Sequence, residues 1–120
     1  MTDEKRKCIA YLITCMYRPT IQYSKVYDLN KGQYSFYRVT QRAGDNQIMI
    51  FDYSRSNYLG GTCPNIFDYA SANYVNIRRN GSFFYIFDYE SGFYARASIV
   101  GNTVTIYDFQ TDGNHSYRLG

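Results

Sequence analysis

The sequence predicts a mainly β protein: an antiparallel meander of repeated β-hairpins, rolled or barrel-like, with one N-terminal helix. Three observations predict this fold. A short tetrapeptide recurs along the chain, residue types alternate with period two, and turn-forming residues separate the alternating segments. A hairpin solenoid and an open single sheet are the alternatives, because a long meander can stack or stay open instead of closing. We expect residues 1–120 to form a single domain, which at this length can bury one core.

Residues 1–18 predict the helix. Thr2 stands at a position where a capping hydroxyl is favoured, and two acidic residues follow it in the first turn. Pro19 marks the end, because the residue before a proline avoids helical conformation. The apolar residues between them fall on one broad helical face: Cys8, Ile9, Leu12, Ile13, Cys15 and Met16. We expect this helix to cover one face of the sheet; a plug or lid is a further option, and a buried strand over 8–17 is the alternative.

The tetrapeptide Ile86-Phe87-Asp88-Tyr89 is the unit that recurs through residues 20–119. Four further copies follow the same pattern, two of them identical and two looser: 50–53, 66–69, 106–109 and 26–29. Self-similarity of this kind indicates one structural unit that the chain uses several times. In each copy the residues that flank the aspartate are aromatic or apolar, which is typical of a strand that is covered on both faces or open to a ligand on one.

Alternation from residue 20 onward predicts ten strands. In the strands that begin near Ile48, Phe83 and Val104, one face carries aromatic residues, and the other carries aliphatic residues and ends in aspartate. The strands are predicted at 20–29, 33–42, 47–53, 57–63, 65–70, 73–79, 82–90, 92–100, 103–110 and 114–119. Turn residues separate them, with Asn80-Gly81 as the clearest hairpin signal and 43–46 as another turn. Short connections make sequence neighbours pair antiparallel.

The repeated aspartates predict a structural ladder rather than a catalytic site. Catalytic carboxylates need unequal environments, and residues in equivalent repeats have equal ones. The ladder consists of Asp28, Asp52, Asp68, Asp88 and Asp108. An arginine follows four of these turns, at Arg38, Arg78, Arg96 and Arg118. We expect each arginine to lie about opposite its aspartate, where opposite charges contribute about 0.2–1 kcal/mol. The turn after Asp52 departs from the rule, because Arg55 lies inside it.

Aromatic residues are the feature that could carry a function. The chain has 15 Tyr, 8 Phe and no Trp. Exposed rings beside arginine can stack on bases or sugar rings, whereas buried rings would simply form the core. The candidate binding residues are Tyr85, Phe87, Tyr89, Tyr107, Arg78, Arg96 and Arg118.

Two resemblances follow from these residues. The stretch Arg79–Phe87 is similar to the aromatic strand of RNA-recognition motifs, but it lacks their spacing, and the chain lacks their βαββαβ order. The pattern Gly81–Tyr85 and the repeat length resemble the aromatic hairpin repeats of bacterial cell-wall-binding modules. Those repeats depend on Trp, which this chain does not contain, so neither resemblance assigns a role to a residue.

No motif predicts catalysis, a metal or a cofactor. His115 is the single histidine and has no nucleophile partner in the sequence. The chain contains no P-loop, dinucleotide-binding, nucleophile-elbow or zinc-protease motif. Its three cysteines are an odd number without pairing or zinc-ligand spacing. We therefore predict no catalytic residue, no metal and no cofactor.

The sequence favours a small non-enzymatic binding or interaction domain that uses its Tyr/Phe/Arg-rich sheet surface and self-associates. A carbohydrate- or cell-surface-binding repeat module and an enzyme with a site assembled from loops are the alternatives. A homo-oligomer or a protein partner is expected. Nucleic acid is only weakly indicated, because a net charge of +3 is below that of a dedicated nucleic-acid binder.

Free thiols favour a reducing compartment, so we expect the cytoplasm. The alternative is an exported lipoprotein lipidated at Cys15, because Lys5-Arg6-Lys7 and an apolar stretch precede that cysteine. No apolar run reaches the ~18–20 residues that a transmembrane helix needs.

Overall fold

The computed structural model describes residues 1–20, 22–44 and 46–120, in which one helix and ten strands form a closed barrel. Helix α1 spans Asp3–Tyr17. The strands are β1 Lys25–Asp28, β2 Gln33–Ala43, β3 Gln47–Asp52, β4 Asn57–Thr62, β5 Asn65–Asp68, β6 Asn73–Asn80, β7 Phe83–Asp88, β8 Phe93–Val100, β9 Thr103–Asp108 and β10 Gly113–Leu119. Each strand pairs antiparallel with its sequence neighbours, and β1 pairs with β10 to close the sheet. The predicted mainly β, barrel-like meander is confirmed, and the open sheet and the solenoid are excluded.

All ten predicted strands are present, most of them within two residues of the predicted bounds. The first strand is shorter than predicted, because it begins only at Lys25; position 21 of the predicted strand lies outside the described residues. Asp45, in the predicted turn 43–46, also lies outside them. The hairpin after β6 turns one residue later than the Asn-Gly signal indicates, since Asn80 pairs with Phe83.

The connections that follow the five repeated aspartates share one geometry. Each has four residues, and the fourth adopts a left-handed backbone conformation, with φ between +51° and +74°. These fourth residues are Gly32, Ser56, Ala72, Gly92 and Asp112. The aspartate side chain shapes the turn, since Asp28 Oδ1 accepts the backbone N–H groups of Asn30 at 2.9 Å and Lys31 at 3.1 Å.

Helix α1 lies inside the barrel. Its start agrees with the prediction, because the Thr2 hydroxyl accepts the backbone N–H of Lys5 at 3.3 Å. Every residue from Lys5 to Met16 is buried, so no side of this segment faces solvent. Inward-facing strand residues surround it, among them Val26, Ile50, Leu59, Ile66, Val75, Ile86, Ala97 and Ile106. The expectation that the helix covers one face of the sheet was wrong, and the plug is the arrangement that forms. The helix is 15 residues long, and no helix among the described residues is long and apolar enough to cross a membrane.

Charged side chains contact the helix at both ends of the barrel. The repeated aspartates surround the N-terminal end of α1, whose helix dipole is positive. At the other end, Arg42 Nη2 donates a hydrogen bond to the backbone oxygen of Cys15 at 2.5 Å. The guanidinium of Arg79 lies 5.0 Å from the centre of the Tyr17 ring at this same end. Charge as well as packing therefore fixes the direction of the helix inside the barrel.

Candidate functional site

The repeated aspartates form a buried cluster at one end of the barrel interior. We call Asp28, Asp52, Asp68, Asp88 and Asp108 the aspartate cluster. None of them is more than 4% exposed. They face inward because each is the last residue of an odd-numbered strand and alternates with an outward aromatic residue.

Cations of the helix N-terminus neutralise one side of the aspartate cluster. Lys5 Nζ lies 2.6 Å from Asp88 Oδ1 and 3.8 Å from Asp68 Oδ2. Arg6 Nη2 lies 3.0 Å from Asp108 Oδ2, and the N-terminal ammonium group lies 3.4 Å from the same oxygen. The helix thus contributes the counter-charges that the strands lack.

Arg55 neutralises another part of the aspartate cluster. Its Nε lies 2.7 Å from Asp52 Oδ2, and its Nη1 lies 2.9 Å from Asp68 Oδ2. The arginine that breaks the sequence rule therefore reaches inward from its turn and bridges two members of the cluster.

The four arginines predicted to pair with the aspartates point to the opposite face, so that prediction was wrong. Arg78 and Arg96 both lie opposite Tyr85. Arg38 lies opposite Phe51, and Arg118 lies opposite Tyr27. After a four-residue turn each aspartate lies opposite the first residue of the next strand. The arginines come an odd number of positions later, and an odd step moves a side chain to the other face of a strand.

Neighbouring groups shift the pKa values of two ionisable residues, Asp88 and His115. Burial alone would raise the pKa of Asp88, but hydrogen bonds from Lys5 and Ser91 outweigh it and hold this pKa below its usual value. Burial and the nearby charge of Arg6 lower the pKa of His115. A hydrogen-bonded carboxylate and a neutral imidazole beside a guanidinium form a structural network. The described residues also contain no grouping of His, Cys, Asp or Glu that could hold a metal ion.

The outer wall of the barrel repeats one aromatic arrangement on three hairpins. In each copy a half-buried phenylalanine lies between two exposed tyrosines, with ring centres 4.6–5.1 Å apart. We call these the aromatic triads: Phe51 with Tyr53 and Tyr58, Phe67 with Tyr69 and Tyr74, and Phe87 with Tyr89 and Tyr94. Most of the contacts are edge-to-face, an arrangement that the ring quadrupoles favour.

Arginine and tyrosine alternate across four adjacent strands of the outer wall. Arg78 on β6 lies opposite Tyr85 on β7, which lies opposite Arg96 on β8, which lies opposite Tyr107 on β9. We call these four residues the Arg–Tyr row. Tyr85 is 47% exposed, and both arginines are exposed. Because neighbouring strands lie about 4.8 Å apart, the row spans on the order of 15 Å.

Three surface hollows meet at Tyr85. Their volumes are about 410 Å³, 320 Å³ and 250 Å³. Six of the seven candidate binding residues line these hollows: Arg78, Tyr85, Phe87, Tyr89, Arg96 and Tyr107. Arg118 does not, because its guanidinium lies 5.2 Å from the centre of the Tyr27 ring, towards the β1 side. Three aromatic residues that the sequence did not single out also line the largest hollow: Phe93, Tyr94 and Phe109.

The outward positions of the described strands carry basic side chains and no carboxylate. Among the described residues, the strand positions that face outward include five basic side chains and no acidic one. The basic residues are Lys25, Arg38, Arg78, Arg96 and Arg118. All five acidic residues of the strands belong to the buried aspartate cluster. The acidic side chains of the described strands thus face the interior, and these five basic side chains face outward.

No protein-family model, curated protein or solved structure matches this chain. Its function is therefore inferred from the chemistry of its own surface. A barrel fold supports many activities, so the architecture alone does not choose among them.

Proposed function

We propose that the protein is a non-enzymatic binding domain whose ligand lies across the outer wall, over Tyr85 and its two flanking arginines. The observation that carries this proposal is the Arg–Tyr row, exposed on rigid strands at the junction of three hollows. Rigid strands hold side chains in place before a ligand arrives, so little ordering entropy is lost on binding. The barrel interior is not available to a ligand, because α1 fills it.

Exposed aromatic surface supports the same proposal. Large contiguous apolar patches on a protein surface mark interaction sites. Around the Arg–Tyr row this patch consists of Phe83, Tyr85, Phe93, Tyr94 and Phe109, each more than 40% exposed. Tyrosine and arginine are also the residue types that dominate binding energy at interfaces.

Pairing within the aspartate cluster supports a non-enzymatic role. Asp52, Asp88 and Asp108 each lie within 3.0 Å of a cationic nitrogen. A general acid or base needs a proton that it can exchange with a substrate, and buried ion pairs do not offer one.

Self-association is a second candidate, and the uncharged side of the barrel favours it. The outward residues of β3, β4 and β5 are neutral, and they include the phenylalanines of two aromatic triads, Phe51 and Phe67. Edge-to-edge association has no support, because every described strand is paired on both sides. Association would therefore use the wall itself, and sedimentation velocity over a range of protein concentrations measures it. A single monomeric species at all concentrations would exclude it.

A cytoplasmic location remains part of this proposal. The cysteines are free thiols, which fits a reducing compartment. Cys15 is 2% exposed on the helix inside the barrel, so attaching a lipid there would require the helix to leave the core. This burial favours the cytoplasm over the lipoprotein alternative.

Nuclear magnetic resonance of the labelled protein tests the proposal with three probes. The probes are a single-stranded oligonucleotide, a neutral oligosaccharide and the protein itself at increasing concentration. We expect at least one probe to shift the amide signals of β6–β9, and Tyr85→Ser to abolish the shift. Tyr53→Ser is the matched control, because Tyr53 is 50% exposed on the uncharged side. Shifts confined to the aspartate cluster, or no shift with any probe, would overturn the proposal.

A further inference from the structure

We infer that the ligand of the outer wall is a single-stranded polynucleotide, whose phosphates pair with Arg78 and Arg96 while a base stacks on Tyr85. This inference rests on the proposed binding function and names its ligand class. It depends on three observations: the separation of charge between the inside and the outside, the alternation of the Arg–Tyr row, and the donor-only chemistry of its arginines.

The position of the charged strand residues makes the outer wall locally basic. The five carboxylates of the aspartate cluster are buried, and four of them lie within 3.0 Å of a cationic nitrogen of Lys5, Arg6 or Arg55. A ligand that approaches the wall meets arginine side chains with no outward strand carboxylate among the described residues. The local potential at the surface, rather than the net charge, attracts a polyanion.

The Arg–Tyr row matches the repeating chemistry of a nucleic-acid strand. Each nucleotide brings one flat ring and one negative charge, and the row supplies one ring and one guanidinium in alternation. Arg78 and Arg96 stand on the two strands that flank Tyr85, roughly 10 Å apart. A base stacked on Tyr85 would leave the phosphates on its two sides within reach of these long side chains. Tyr94 and Phe109, in the largest hollow, lie in position for a neighbouring base.

Hydrogen-bond chemistry favours a polynucleotide over a polysaccharide. Guanidinium groups only donate hydrogen bonds, and the unesterified oxygens of a phosphate diester only accept them. Sugar hydroxyls donate as well as accept, and carboxylates are the strongest acceptors for them. The outward strand positions among the described residues carry no carboxylate.

A single strand fits the exposed rings better than a duplex. Stacking on Tyr85 requires an open base face, and the bases of a double helix already stack on one another. A duplex would contact the arginines through its phosphates alone, so the tyrosine would not contribute. This difference provides the critical comparison.

Fluorescence anisotropy with labelled oligonucleotides of about 12 nucleotides tests the inference. The probes are single-stranded DNA, single-stranded RNA and a DNA duplex, each titrated at several salt concentrations. We expect at least one single strand to bind more tightly than the duplex, and the tighter of the two identifies DNA or RNA as the source. Tyr85→Ser should weaken single-strand binding roughly 5- to 150-fold, the range expected for one lost base stack. Tyr85→Phe keeps the ring and should bind like the unsubstituted protein.

Arginine variants complete the test. Arg96→Gln should weaken binding and reduce the slope of log affinity against log salt by about 0.7, because one phosphate contact is lost. Arg38→Gln is the matched control, since Arg38 is an exposed outer-wall arginine that faces Phe51 away from the row. Equal affinity for duplex and single strand, with Tyr85→Ser unchanged, would overturn the inference.

Absence of oligonucleotide binding at low salt would also overturn it. The proposed binding function would survive that result if the oligosaccharide or the protein itself shifted the β6–β9 signals. The two failures are therefore distinguishable.

Discussion

The inner and outer side chains of Ile86-Phe87-Asp88-Tyr89 belong to two different regions of the molecule. Asp88 points inward and has a cation, Lys5 Nζ, at 2.6 Å. Phe87 points outward, and the centre of its ring lies 4.8 Å from that of Tyr89 and 4.6 Å from that of Tyr94. The Asp88 carboxylate inside is neutralised by Lys5, whereas the arginines outside lie beside aromatic rings, with no carboxylate at an outward strand position of the described residues. One repeat can thus determine the fold with one face and leave the other exposed.

Buried ion pairs determine the arrangement of the helix more than they add stability. Removing two charges from water costs several kcal/mol per ion, and their attraction roughly offsets this cost when both partners are present. Lys5 and Arg6 reach the aspartate cluster only when the helix enters the barrel with its N-terminus at that end. The inner face therefore tolerates the loss of a single ion-pair partner poorly.

Asp88→Ala should have the largest effect, because it leaves the Lys5 ammonium group buried without its nearest partner. We expect a loss of about 3–5 kcal/mol in the free energy of unfolding, measured by urea denaturation. Glu90→Ala is the matched control: Glu90 also contacts Lys5, at 3.3 Å, but is 42% exposed. Its removal should cost about 0–1 kcal/mol. Equal losses in the free energy of unfolding would show that the buried carboxylate of Asp88 and the exposed carboxylate of Glu90 contribute equally to stability.

Acid should destabilise the protein through the inner face. Hydrogen bonds from Lys5 and Ser91 hold the folded-state pKa of Asp88 below its unfolded value of about 3.9. The unfolded state therefore binds more protons, so the stability that is present above about pH 4 is lost as the pH falls through the folded pKa. Thermal unfolding midpoints at a series of pH values measure this loss. Tyr85→Ser should lose stability over the same pH range as the unsubstituted protein. A different pH dependence of its unfolding midpoint would show that the outer wall affects the ionisation of the aspartate cluster.

His115 should add a second loss of stability as the pH falls. Burial and the charge of Arg6 lower its folded-state pKa, so the unfolded state takes up a proton first, below about pH 6.5. His115→Gln should remove this step and leave the loss below about pH 4 in place. If both steps disappeared together, His115 and the aspartate cluster would titrate as one unit.

The turns that connect the two faces should give an intermediate effect. Gly92 and Ala72 occupy the same fourth turn position, with φ of +74° and +55°. A left-handed conformation costs a residue with a Cβ about 1–2 kcal/mol, and an added Cβ at Gly92 would contact nothing within 4 Å. Gly92→Ala should therefore lower the free energy of unfolding by about 1 kcal/mol, and Ala72→Gly should raise it by less. Urea denaturation measures both, and the same sign for the two exchanges would contradict this explanation.

Local sequence patterns predicted the strands and the helix start because neighbouring residues determine both. Alternation around Asp88 and the hydroxyl of Thr2 act over a few residues, and both predictions are confirmed. The partners of the aspartates act over a much longer range. Lys5 and Asp88 are 83 residues apart, and Arg6 and Asp108 are 102 apart, so no local pattern links them. The apolar residues of the helix fall on one broad face, which is why the sequence indicated a helix that covers one face of the sheet.

The placement of the candidate site was partly within reach of the sequence. Each aspartate lies opposite the first residue after its four-residue turn, and Arg78 and Arg96 come an odd number of residues after that position. This spacing alone places both arginines on the aromatic face, so it rules out the predicted ion pairs with the aspartates. Which face of the sheet is inside was not within reach, because both faces are apolar. Burial of the helix decides it, since the face that ends in aspartate is the only one that can neutralise Lys5 and Arg6.

Substitution of Tyr85 on the outer wall should have the smallest effect on the free energy of unfolding. Tyr85 is 47% exposed and lies between two exposed arginines, so Tyr85→Ser leaves no cavity and no unpaired buried group. We expect a change of less than about 0.5 kcal/mol in the free energy of unfolding, measured beside Asp88→Ala. A loss of several kcal/mol would instead make the outer rings part of the core and remove the reason to assign them a ligand. A stable Tyr85→Ser variant that no longer binds would show that two residues of one strand have different roles. Asp88 would determine the fold, and Tyr85, three residues away, would determine binding.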